Sequence, residues 1–220
     1  MVLRTSTEAR ILDAADELFF THGISATPID AVIARAGVSP ATLYRGYASK
    51  EALVAAALGR RHDRWVEVWQ EAVDRHTSPE GRLLAVFDAL EEFRARPDGA
   101  RWCAFLGSAA EHADGPAEIT QAVAQDTEAL RSRLARLAEA VDAPSATDLA
   151  DDLLLLVTGY LAMRLRDDTH TTARARAIAA VLVAGATDVS RATADAAGGD
   201  GARTAPPRRA VRADGARPAG

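Results

Sequence analysis

Lysine is almost missing from this sequence: Lys50 is the single one among 26 basic residues. Cysteine is equally scarce. Cys103 stands alone, which excludes an internal disulfide framework, and its neighbours Trp102 and Ala104 mark it as a buried, inert thiol. Aromatic residues make up only 5% of the chain, while alanine is abundant, a balance that favours helix throughout. No apolar run approaches the roughly 18 residues needed to span a bilayer, and no N-terminal stretch has the pattern of a signal peptide. The chain is therefore expected to be cytoplasmic, with no membrane partner. The patterns of catalysis are missing too. There is no phosphate-cradling glycine loop and no nucleophile elbow, and His22, His62, His76, His112 and His170 are scattered rather than paired at metal spacing. No catalytic residue, metal or cofactor is expected, and an enzyme is disfavoured.

At 220 residues and 48% hydrophobic content, the chain can bury a substantial core in one or two domains. Its net charge of −5 is unevenly spread. Residues 1–64 carry 8 basic and 7 acidic side chains, residues 65–190 carry 12 and 21, and residues 191–220 carry 6 and 3. Within residues 31–62, Arg35, Arg45, Lys50, Arg60 and Arg61 face Glu51 as the lone acid, so this stretch is expected to be locally positive and to suit an anionic partner.

The stretch Thr27–Leu53 organises the chain. Thr27 is expected to cap a helix with Pro28 in its first turn and Asp30 near its positive end, and Ile29, Val32, Ile33 and Ala36 recur at helical spacing. Gly37 supplies the left-handed residue that closes a helix, Val38 its hydrophobic contact, and Ser39-Pro40 the cap and first residue of another. Helix, glycine turn and helix make a helix-turn-helix. The second helix, Pro40 to about Tyr47, has Leu43 as its clear core position, with Tyr47 on the same face. Ala41, Thr42, Arg45 and Gly46 are left facing outward, a surface fit to enter a groove. Ser49 then caps a third helix whose first residue is Lys50. A cation is mildly unfavourable beside exposed amides unless an anion joins it, so Lys50 is expected to take a phosphate. Upstream, a helix over about 7–22 opens after a Thr5-x-x-Glu8 capping pair, with Ile11, Leu12, Ala15, Leu18 and Phe19 as its buttressing face.

The run Ala36-Gly37-Val38-Ser39, Thr42-Leu43-Tyr44, Tyr47, Ser49-Lys50-Glu51 and Leu53 resembles the N-terminal DNA-binding region of the tetracycline-repressor (TetR) family of bacterial transcription regulators. The resemblance covers about a quarter of the chain. It implies that Thr27, Ser39, Tyr44 and Lys50 touch phosphates, and that Pro40, Ala41, Thr42 and Arg45 lie near base edges. Two residues depart from the family pattern. Gly46 stands where a histidine or tyrosine is common, and Tyr47 replaces the usual phenylalanine. A glycine inside a helix costs about 0.5–1 kcal/mol against alanine, so this helix is expected to fray at its end.

The fold class expected is all-α: an N-terminal three-helix DNA-binding domain (residues 1–48) joined to a helical ligand-binding and dimerisation bundle (49–190), then a disordered Ala/Gly/Pro/Arg tail (191–220). Helices are expected over about 49–76, 79–96, 100–113, 117–141, 146–167 and 172–189. Val123, Thr127, Leu130, Leu134, Leu137 and Val141 repeat at heptad spacing for packing along a neighbour. Leu153 to Val157 is apolar all the way round and asks for cover on every side. The last two helices, about 146–189, are thus the expected homodimer interface, a four-helix bundle that the family resemblance also implies. Trp65, Trp69, Phe87, Trp102, Phe105, Tyr160 and Met163 are candidates to line an effector cavity, with Glu111, His112 or Gln121 as polar anchors. The resulting expectation is a ligand-responsive repressor released from a pseudo-palindromic operator by a small molecule. The alternatives are a DNA-bound regulator controlled by a protein partner, with no small-molecule pocket, and an all-helical enzyme.

Overall fold

The computed structural model describes residues 4–96, 103–112, 115–167 and 169–198, with side chains as far as Asp188. Trp102, the Pro97-Asp98-Gly99 break and the tail from residue 199 lie outside the described residues. What is described is all helical: α1 (Thr5–His22), α2 (Ile29–Ala36), α3 (Pro40–Gly46), α4 (Lys50–Asp74), α5 (Pro79–Ala95), α6 (Ala104–Glu111), α7 (Ala117–Glu139), a 3-10 turn (Ala143–Ser145), α8 (Ala146–Arg166) and α9 (Ala173–Gly198).

Two hydrophobic cores organise these helices. The head core joins Ile11, Ala15 and Phe19 of α1, Val32 of α2, Leu43 of α3 and Leu53, Val54, Ala57 and Leu58 of α4, and is closed by Phe105 of α6 and Ile119 of α7. The body core joins Val68, Trp69 and Val73 of α4, Leu83, Val86 and Phe87 of α5, Leu134 of α7, Leu153 and Val157 of α8 and Val183 of α9. α4 belongs to both. At about 1.5 Å per residue its 25 residues reach roughly 37 Å, and its two ends bury apolar side chains in different cores. A division after residue 48 therefore leaves the head without the first turns of α4 that complete its core.

Several helix ends follow from local chemistry. Gly37 is left-handed at φ 63°, ψ 42°, and the Val38 N–H closes the helix by donating to the Ile33 carbonyl at 3.3 Å. Ser39 Oγ accepts from the Thr42 N–H, and Ser49 Oγ from that of Ala52, each a side-chain N-cap. Two expected caps are absent. Helix α1 starts at Thr5 with Arg4 as its uncapped N-cap residue, so no Thr5–Glu8 box forms. Helix α2 starts at Ile29 behind Pro28, and Thr27 does not cap it. Gly46 is the last residue of α3 rather than an interior one, with Tyr47 extended as its C-cap.

The body departs from expectation in two places. Helix α9 runs to Gly198, past the 191 boundary expected for the tail. The Leu153 to Val157 stretch of α8 is apolar all round, yet only one side is covered within the chain: Leu153 and Val157 are buried, while Leu155 is 71% exposed. The heptad positions of α7 pack against α8 and α4, with Leu134 fully buried and Thr127 exposed, its hydroxyl donating to the Val123 carbonyl.

Candidate nucleic-acid interface and effector cavity

Helix α3 is held by very little. Leu43 is its only buried residue, and the chain continues into buried Tyr47. Pro40, Ala41, Tyr44, Arg45 and Gly46 are exposed, and Thr42 is half-buried. Tyr44 is 49% exposed. Thr42 Oγ1 lies 2.9 Å from Ser39 Oγ, so these two candidates share one hydrogen bond at the start of the helix.

The structure moves Thr27 and Lys50 away from the roles expected of free surface side chains. Thr27 is 3% exposed, and its hydroxyl donates inward to the carbonyls of Gly23 (2.7 Å) and Leu18 (3.2 Å). It shapes the α1–α2 loop instead of offering its hydroxyl to a phosphate. Lys50 Nζ donates to the Ile24 carbonyl at 2.6 Å and stands 5.8 Å from the centre of the Phe19 ring. The ammonium thus ties α4 to the same loop. It has two further protons, so a phosphate contact at this site would be made in addition to the Ile24 bond.

The local excess of positive charge also contracts. Helix α1 supplies counter-charges that lie outside residues 31–62: Arg35 pairs with Glu17 at 2.7 Å, Arg60 with Asp13 at 2.7 Å, and Arg61 with Asp16 at 3.2 Å. Arg45 and the partly engaged Lys50 remain to face an anion beside α3. Arg10 joins them, an exposed residue that sequence reasoning missed. Its Nη1 stands 3.9 Å from where a Cβ on Gly37 would lie, which puts a cation at the helix-turn-helix corner.

Glu111, expected as a cavity anchor, instead joins body to head. From the end of α6 it accepts the Ser25 N–H at 2.8 Å and the Ile24 N–H at 3.3 Å. Desolvation pushes its carboxyl up, but the N–H groups of Ser25 and Ile24 outweigh that, and the net shift is below the ordinary value of 4.5. A depressed carboxylate stabilises the fold fully above its unfolded value and loses that contribution as pH falls through the folded one. Glu111→Gln should therefore speed solvent exchange of the Ile24 and Ser25 amides about tenfold at neutral pH. The difference from wild type should also shrink as pH falls below 4.5 and through the lower folded value. Hydrogen exchange read residue by residue checks both, and unchanged protection would remove Glu111 as a tie.

Between α4, α5, α6, α7 and α8 lies a cavity of about 80 Å³. Trp65 and Phe105 line it, as expected. Phe87 and Trp69 do not, being fully enclosed in the body core, with the Trp69 ring tilted 34° against Trp65 at 5.6 Å and covered by the Arg133 guanidinium at 4.5 Å. Tyr160 is buried behind the lining, and Met163 points out of the protein at 44% exposure. His112 does not line it, and Gln121 lines an adjoining, wider groove between α4 and α7, of about 650 Å³, which shares Phe105 and Asp126 with the cavity and also carries Asp63 and Glu118. Sequence reasoning missed the cavity's charged residues, Arg61, Arg94, Arg164 and Asp126. Asp126 meets His62 Nδ1 at 2.8 Å, and this hydrogen bond raises the imidazole above its ordinary 6.5 against the effect of burial. The pair thus clamps α4 to α7 below pH 6.5 and weakens as pH rises through the folded value. Burial likewise pushes the Cys103 thiol up, so little of it is the reactive thiolate at neutral pH.

Among the described residues no group of three or more His, Cys, Asp or Glu is placed to hold a metal ion, and no helix is long and apolar enough to cross a membrane.

Residues 11–57 match the pattern described as bacterial regulatory proteins, tetR family. The HTH-type transcriptional activator FasR of Mycolicibacterium smegmatis is 34% identical over 90 residues, 41% of this chain and 41% of that protein. The regulator UidR of Escherichia coli K12 is 34% identical over 68 residues, 31% of this chain and 35% of that protein. The chain thus matches about two fifths or less of the length of these curated relatives. Among solved structures, a TetR-family transcriptional regulator from Streptomyces coelicolor superposes with TM-score 0.71 at 24% identity, over 84% of this chain and 89% of that one. A TetR-family regulator from Cytophaga hutchinsonii gives 0.72 at 16% identity, over 84% and 97%. At these identities the likeness shows the fold alone.

Proposed function

We propose, from the premise that the chain belongs to the TetR family of bacterial regulatory proteins, that it is a homodimeric transcription regulator whose DNA affinity a small molecule controls. The family is one of regulators rather than enzymes. The observation that carries the reading is the sparse exposed face of α3, displayed on a head with its own core. Each protomer lays α3 in a major groove. Ser39, Tyr44 and Lys50 approach phosphates, and Pro40, Ala41, Thr42 and Arg45 approach base edges, over a pseudo-palindromic site with half-sites about one helical turn apart. Thr27 contributes by holding the loop that aims α2. Dimerisation through α8 and α9 is supported by the apolar side chains those helices leave exposed, Leu155, Met163, Leu165, Ile178 and Val181. Residues 4–48 with the start of α4 form the reading head, and the rest of the described chain the body.

The cavity supports a small-molecule effector over a protein partner, because it is a concave, mostly apolar space whose wall is drawn from α4, α5, α6, α7 and α8. Arg61 lines it and also pairs with Asp16 of α1, while Glu111 at the end of α6 holds the α1–α2 loop. A ligand that shifts α4 or α6 changes how the heads sit, and DNA affinity falls by a coupling energy of about 1–3 kcal/mol. Repression follows if the bound dimer blocks transcription and the ligand releases it.

The test is a binding-site selection followed by titration of variants. Thr42→Ala and Arg45→Ala should change base preference at defined operator positions, costing about 1–3 kcal/mol there. Lys50→Met should weaken binding to every sequence alike and flatten the salt dependence. Equal, sequence-independent losses for all three would sink base reading by α3.

A further inference from the structure

Two concave spaces meet in the body and share a wall. The cavity lies on one side and the α4–α7 groove on the other, and among the described residues Phe105 and Asp126 are the two that line both. His62 lines the groove and reaches each of them. Its Nδ1 lies 2.8 Å from Asp126 Oδ1, and its ring meets that of Phe105 edge-on, with centres 6.5 Å apart. The partition is thus made by side chains from three helices: His62 of α4, Phe105 of α6 and Asp126 of α7. The His62 and Asp126 side chains keep 28% and 17% of their exposure, so solvent protons reach the pair without unfolding. The cavity by itself, about 80 Å³, holds only a few waters at roughly 10–15 Å³ each, whereas the groove, about 650 Å³, is of small-molecule size. A ligand lying in the groove reaches Trp65 and Phe93 by passing this partition.

Protonation decides how firmly the partition holds. An imidazolium meets the Asp126 carboxylate as an ion pair and a hydrogen bond, and a neutral ring keeps only the hydrogen bond. The charges around His62 favour the proton. Asp63 of α4 and Glu118 of α7 line the same groove as acids, and Arg61, beside His62 on α4, is turned to Asp16 of α1. On α6 the Cys103 thiol, which burial keeps protonated, carries no charge. We infer that His62, Asp126 and Phe105 form a proton-controlled partition, closed while His62 is protonated and parting as it loses its proton, so that groove and cavity then join into one effector site. The inference rests on the effector reading above for what uses the site, and adds its regulation.

Access is measured without any effector. Trp65 lines the cavity and Trp69 is fully enclosed, so in a Trp102→Phe background quenching by acrylamide, a small neutral molecule, reads access to Trp65. The quenching constant of the full chain should be higher near pH 8 than near pH 5.5 by about twofold or more, with its midpoint at the His62 titration followed by NMR. His62→Gln keeps a hydrogen bond to Asp126 without the charge and should remove the step. Asp126→Asn should give the high value at both pH values, and it decides alone should His62→Gln fail to fold. A step in access upholds the partition even where no compound alters DNA affinity, an outcome that counts against the effector reading alone. A constant that is the same at both pH values in the parent, or a step that survives either substitution, overturns the inference.

Discussion

Leu43→Ala is expected to abolish sequence-specific DNA binding and to destabilise the head by about 3 kcal/mol, within the range for truncating a fully enclosed leucine. Leu43 is 0% exposed and is the only buried residue of a seven-residue helix. So short a helix does not persist in water by its own propensity. Its position on the head therefore depends on this one side chain, the Ser39 cap and the turn into Tyr47. With the leucine cut back, α3 loses the contact that sets its depth and rotation, and the surface it offers is no longer a single shape. Tyr44→Ala is the control. Tyr44 stands exposed one residue away, so its loss should leave thermal melting unchanged while still weakening DNA binding. Melting followed with mobility-shift titration separates the two. Wild-type melting and affinity in Leu43→Ala would show that α3 is anchored by something other than its core residue.

The second large effect is expected from charges placed on the uncovered face of the last two helices. Leu155 and Val181 are each 71% exposed in the single chain, so Leu155→Asp and Val181→Asp should leave the protomer folded with near-normal helicity and melting. In a two-fold dimer each substitution appears twice, and each buries an uncompensated carboxylate, at a cost of several kcal/mol. Sedimentation should then find monomers at concentrations where wild type is dimeric. Operator affinity should fall on the order of a hundredfold, because two linked heads bind far more tightly than one. A variant that sediments as a dimer would place the interface elsewhere. A monomer with undiminished operator affinity would mean that one head suffices.

Residues near each other in the chain were the legible ones. Gly37, Ser39 and Ser49 could be read as helix punctuation because each satisfies backbone groups within about four positions of itself, a chemistry that does not depend on the remaining chain. The small, polar outward face of α3 was legible for a related reason: apolar spacing alone marks which side of a helix needs cover. The all-helical class followed from the same pattern, together with abundant alanine and few aromatic residues.

What depends on how distant helices rotate against one another was decided only in three dimensions. Thr27 reads as a cap, yet its hydroxyl turns inward to Gly23 and Leu18. Lys50 reads as a free phosphate ligand, yet it also secures the Ile24 carbonyl. Arg35, Arg60 and Arg61 read as exposed positive charge until α1 brings Glu17, Asp13 and Asp16 against them. The aromatic residues show the same limit, since periodicity places Trp69, Phe87 and Met163 on helices without saying which neighbour each will meet. Two of them fill the core and the third faces out. The arginines that line the cavity belong to α4, α5 and α8, more than 30 positions apart at the nearest and about 100 at the farthest. Local sequence thus determined the helices and their ends, because hydrogen-bond satisfaction is a short-range requirement. Tertiary packing decided the charges and the cavity, because those depend on where the long lever of α4 lays its two ends.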